Sequence, residues 1–119
     1  MCFSATASFA AGGALLLVGA LALRQVEEPR ELTFAAIPVL FGLQQIVEGF
    51  VWLTFDSAVP NLNSGLIHLF ALFSNVLWPL LAPLAALSLE TVHWRRRAMG
   101  LPLALGVALS LSLLVAMTL

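Results

Sequence analysis

Four long apolar runs, residues 6–23, 34–55, 65–88 and 99–119, take up nearly the whole chain, and they decide what it can fold into. Each is close to the ~20 residues that a helix needs to cross the ~30 Å hydrocarbon core of a bilayer. A water-soluble fold has nowhere to put this surface: of 119 residues, 61% are hydrophobic and 9% charged, with a mean hydropathy of +1.05. In lipid the backbone must satisfy its own hydrogen bonds, so such runs are read as helices. The expected fold is all-α: one transmembrane domain over residues 1–119, a bundle of four transmembrane helices. The connections at 24–33, 56–64 and 89–98 carry turn and charge signals, namely Glu27-Glu28-Pro29-Arg30, Pro60-Asn61-Leu62-Asn63-Ser64-Gly65 and Arg95-Arg96-Arg97.

All five basic residues, Arg24, Arg30, Arg95, Arg96 and Arg97, lie in the first and third connections. The positive-inside rule then places those connections in the cytoplasm. The expectation is a multi-pass protein of the cell inner membrane with both termini outside. Trp94 beside the arginine run suits an interfacial anchor. The run meets anionic lipid headgroups rather than nucleic acid, at about 1 kcal/mol per residue. Ala20-Leu21-Ala22 looks like a signal-peptidase site, but no Lys or Arg precedes it, so the first helix is expected to stay in the mature protein. The single cysteine, Cys2, allows no intramolecular disulfide.

Glu48 is the residue most out of place. An ionisable group at membrane depth costs about 2.5–3.5 kcal/mol on insertion scales and is normally turned toward a partner, a cavity or a transported species. In the expected topology it lies about 10 Å below the outer end of the second helix, and His68 about 5 Å below the outer start of the third, at ~1.5 Å per residue. Cys2 precedes the first helix on the same side. Gln44, Gln45, Glu48 and Trp52 share one face through i, i+3 and i, i+4 spacing, and His68, Asn75, Trp78 and Pro79 share another. The two polar stripes are expected to face each other, making Glu48 and His68 neighbours, with the 1–5 segment folded over the mouth.

This gives Gln44, Gln45, Glu48, Trp52, Asn75 and Trp78 as candidate ligand-binding residues and Cys2, Glu48 and His68 as candidate metal ligands. Thiolate, imidazole and carboxylate suit zinc, and imidazole with thiolate suits copper, although the spacing matches no compact metal motif. Several functions fit such a pocket. It can bind a metal ion, a small cation or another small molecule, or serve a small proton-coupled transporter or channel subunit. A membrane-embedded metal-dependent hydrolase would use Glu48 as base. As part of a structural subunit of a larger membrane assembly, Glu48 would be interhelical glue, each such bond being worth about 0.6–2 kcal/mol.

The remaining motifs read as architecture. Ser8, Gly12 and Gly19 form a small-residue surface for close helix approach. Pro79 and Pro83 should bend the third helix and free carbonyls for a neighbouring helix to meet. The fourth helix, with only Ser110, Ser112 and Thr118 as polar groups, reads as a lipid-facing or oligomer-facing scaffold, and a homo-oligomer is expected because four short helices enclose little interior. One Cys and two His rule against a thiol oxidoreductase or a dihaem cytochrome, and no phosphate-cradling glycine loop is present.

Met1-Cys2-Phe3-Ser4-Ala5-Thr6-Ala7-Ser8-Phe9, together with Phe41-Gly42-Leu43-Gln44-Gln45-Ile46-Val47-Glu48-Gly49-Phe50-Val51-Trp52, resembles a bacterial family of small integral membrane proteins of unknown function with an N-terminal Met-Cys-Phe-Ser signature. The resemblance covers the first half of the chain well and Phe73-Ser74-Asn75-Val76-Leu77-Trp78-Pro79 more loosely. It implies a polytopic membrane fold and supplies no activity. Members of the family it resembles are often longer, with more than four spans, which leaves open whether residues completing a site are absent here or come from another subunit.

Overall fold

The computed structural model describes residues 3–119. Among them the structure is helical with no strand, and four helices are long and apolar enough to cross a membrane: α1 (Ala5–Arg24), α2 (Pro29–Thr54), α3 (Pro60–Leu89) and α4 (His93–Thr118). Each apolar run corresponds to one of these helices, but α2, α3 and α4 begin five or six residues before their runs, and α1 only one. The reason is local. Pro29 and Pro60, which read as turn residues, sit in first helical turns, where a missing N–H costs nothing and the fixed φ is already helical. At Pro29 the start is further supported by Glu31, whose carboxylate accepts from the backbone N–H groups of Glu27 (3.1 Å) and Glu28 (3.4 Å). The arginine run opens α4, in its short first segment His93–Ala98.

The chain divides into two compact units, one of Met1–Val26 with Ala35–Ala71 and the other of Glu27–Phe34 with Leu72–Leu119. In the first, α1 opens on Ser4, whose hydroxyl accepts from the Ala7 N–H at 3.2 Å. α1 lies antiparallel against α2 along a seam of glycines. A Cβ on Gly12 would stand 3.0 Å from the Gly42 carbonyl oxygen, and one on Gly42 3.0 Å from that of Gly12. A Cβ on Gly19 would fall 2.7 Å from the Val39 backbone nitrogen. Farther along, Gly49 makes room for the ring of Phe9, which meets Phe50 edge-on at 5.2 Å. The small-residue surface expected on α1 is therefore the α1–α2 interface, the arrangement lipid favours because apolar burial gives helices no net drive to associate. Ser8 is fully buried in this unit with no hydrogen-bond partner for its hydroxyl.

In the second unit the chemistry of proline organises the packing. Residues Phe73–Leu77 form one π-helical turn just before Pro79. A proline cannot bond the carbonyl four residues back and its ring collides with it, and a wider turn relieves that collision. Pro83 in turn leaves the Pro79 carbonyl without its usual helical donor. That carbonyl is met by α4: a Cβ on Gly106 would stand 2.0 Å from the Pro79 oxygen, so only glycine permits this approach. One turn on, the Ser110 hydroxyl donates to the Val76 carbonyl at 2.8 Å. The face of α4 carrying Gly106 and Ser110 is buried against α3, so the scaffold reading of α4 does not extend to that face. Glu90, just past the end of α3, accepts from the Val92 N–H at 3.0 Å and pairs with Arg95 at 3.2 Å.

Candidate functional site

The buried side chains of the described residues are mostly not hydrocarbon. Beyond Ala85, they are Ser8, Gln44, Gln45, Glu48 and Ser110. Of these, Gln44, Gln45 and Glu48 lie on consecutive turns of α2, only 6%, 4% and 6% exposed. Helical spacing places them together, and the Gln45 amide donates to the Glu48 carboxylate at 3.0 Å. Gln44, Gln45 and Glu48 all take part in further polar or ring interactions. A buried carboxyl group needs such hydrogen bonds, because a buried polar group without a partner costs free energy.

Glu48 also borders a cleft of about 230 Å³. α2 supplies Glu48, Val51, Trp52 and Phe55, and α3 supplies Ile67 and Phe70. The two helices are clamped at the turn that joins them. There the Asn63 amide donates to the Val51 carbonyl (3.1 Å) and to the Thr54 hydroxyl (2.9 Å), which itself donates to the Phe50 carbonyl (2.8 Å). Asn63, Ile67 and Phe70 recur at i, i+4 and i+7, the spacing of one helix face, and this is the face of α3 that meets α2. Trp52 and Phe55 form a ring pair with centroids 6.4 Å apart and planes inclined by 42°. The result is a carboxylate set in an otherwise aliphatic and aromatic cleft.

The expected site residues distribute unevenly over this arrangement. Gln44, Gln45, Glu48 and Trp52 share α2 as the spacing predicts, and Glu48 and Trp52 line the cleft. His68 is exposed and does not line it; its Nδ1 lies 2.7 Å from the carbonyl of Ser64, one turn back on the same helix. Asn75 and Trp78 belong to the second unit, at and just after the π turn, and are half-buried. Cys2, and with it the cap expected over the mouth, lies outside the described residues. Among the described residues no three of His, Cys, Asp and Glu come together as a metal site. The reading by polar stripes passed over Val51, Phe55, Asn63, Ile67 and Phe70, although helical periodicity run along apolar positions joins 48, 51, 52 and 55, and 63, 67 and 70.

No curated protein and no solved structure matches the chain. A family profile matches residues 1–118, well beyond the half of the chain that carries the Met-Cys-Phe-Ser resemblance. Its description records no activity. By that match the chain belongs to the "Family of unknown function (DUF6629)".

Proposed function

We propose that this protein is a small multi-pass protein of the inner membrane that binds a monovalent cation at Glu48. The observation that carries the reading is a buried carboxylate, braced by Gln45, on the wall of an otherwise apolar cleft. Interhelical glue would be served by a carboxylate turned wholly toward protein, whereas this one also borders open space. Intramembrane carboxylates of that kind mark ion and proton paths, so a transport subunit is the natural extension. The metal-dependent hydrolase draws no support from the described donors, since His68 bonds its own helix away from the cleft. In this proposal both termini face outward and the protein works as a homo-oligomer.

Two measurements test it. A periplasm-active reporter fused after Leu119 should be active and a cytoplasm-active one silent; the reverse pattern defeats the orientation and the outer-leaflet position of Glu48. In detergent, a panel of inorganic and organic monovalent cations should include at least one that changes Trp52 fluorescence saturably, with Trp52→Phe assigning the signal. Glu48→Gln should weaken that response about tenfold or more, the order expected for losing a charge-assisted contact. No Glu48-dependent response to any cation would end the proposal.

A further inference from the structure

We infer that the cation is an organic ammonium carrying an apolar substituent, rather than an inorganic ion. This rests on the proposal that Glu48 binds a cation, and narrows its chemical class. Hard cations replace their water with a shell of oxygen ligands, and this cleft is lined by one carboxylate with Val51, Trp52, Phe55, Ile67 and Phe70. A sodium or divalent ion entering it would exchange a full hydration shell for hydrocarbon and ring carbon. An alkylated ammonium is weakly hydrated and loses little on entry. Its positive charge is attracted both by the carboxylate and by the faces of aromatic rings, and the attraction strengthens once water is excluded.

The layout supports the same occupant. Glu48 is 6% exposed, whereas Trp52 and Phe55 are 42% and 66% exposed, so the charge sits at the sheltered end and the rings at the open end. A ligand matched to that polarity leads with its cationic head and leaves an apolar part between Trp52, Phe55 and Phe70. At about 230 Å³ the cleft is smaller than the ~300–1,000 Å³ common for drug-sized ligands, which limits it to a head group and one ring or short chain. The shared chemistry, a trimethylammonium head beside an apolar body, can come from a soluble amine or from a lipid headgroup.

Equilibrium dialysis of the purified full chain in maltoside detergent, with benzyltrimethylammonium, tetramethylammonium and sodium as probes, tests this. Benzyltrimethylammonium should bind saturably and most tightly, tetramethylammonium more weakly, and sodium should not compete. Glu48→Gln should cost about tenfold or more, and Phe55→Ala, at an exposed position, about threefold to tenfold. Retained helical circular dichroism shows that each variant folds. Sodium binding that depends on Glu48 and matches or exceeds benzyltrimethylammonium overturns the ammonium class while sparing the cation proposal. Glu48-independent binding of the ammonium probes, or none, overturns the ammonium class, and the cation proposal falls with it when no cation of the wider panel gives a Glu48-dependent response. Repeating the measurement in nanodiscs assigns the source: loss in phosphatidylcholine but not in phosphatidylglycerol identifies a lipid headgroup, and equal binding in the two identifies a soluble amine.

Discussion

Replacing Gly106 with leucine should unseat α4 from α3 and destabilise the second unit by about 3 kcal/mol or more. Overpacking a tight interface ordinarily costs about 1–3 kcal/mol, because side chains give way at moderate expense. Here the first added carbon would stand 2.0 Å from the Pro79 carbonyl oxygen, which is backbone and cannot rotate aside. Gly106→Ala is the sharper variant. Alanine gains about 1 kcal/mol in helix propensity, so a net loss from adding one methyl isolates the collision. Ser110→Ala, which removes the bond to the Val76 carbonyl, should cost only about 0.6–1.7 kcal/mol. The midpoint of denaturation in mixed micelles orders the three. A Gly106→Leu midpoint equal to that of the unsubstituted protein would show that the helices do not approach this closely.

An effect of similar size is expected at the α1–α2 seam, against which two glycines of α1 should behave in opposite ways. Gly19→Leu places its Cβ 2.5 Å from a Val39 methyl and 2.7 Å from the Val39 backbone nitrogen, whereas a Cβ on Gly13 meets nothing within 4 Å. Gly19→Leu should therefore lose about 3 kcal/mol or more. Gly13→Leu should be neutral or gain about 1 kcal/mol from helix propensity. Both add the same atoms to the same helix, so the difference reads the face alone. Equal denaturation midpoints for the two variants would contradict the seam.

The spans were legible because hydropathy is a property of runs, and a run of this length has one use in a bilayer. Boundaries were less so, since Pro29 and Pro60 signal a turn and a first helical turn alike, and only the Glu31 carboxylate on the Glu27 and Glu28 amides distinguishes them at the first. The α2 cluster could be read because Gln44, Gln45 and Glu48 are polar in an apolar helix and share a face. The opposite wall could not be found by polarity, because it is made of Ile67 and Phe70, which differ in no obvious way from lipid-facing residues. Polarity pointed to His68, whose ring is satisfied by its own helix at Ser64. Gly106 and Ser110 on α4 were hidden for a different reason: their role depends on carbonyls of another helix, that of Pro79, freed by Pro83, and that of Val76.

The near absence of buried hydrocarbon in the described residues has a thermal consequence. Water-soluble domains unfold with a large positive heat capacity change because they expose apolar surface to water, and this curvature sets both their heat and cold limits. In this chain the apolar side chains other than Ala85 are already partly or largely exposed at the helix surfaces, where a bilayer takes the place of water. Separating the helices within lipid would pass side chains such as Phe9, Val39 and Ile46 from protein to hydrocarbon and uncover glycine backbone, serine hydroxyls and the Gln44–Gln45–Glu48 group. The heat capacity change of that step should be close to nil, and its free energy should run nearly straight with temperature, with no cold-side loss of stability.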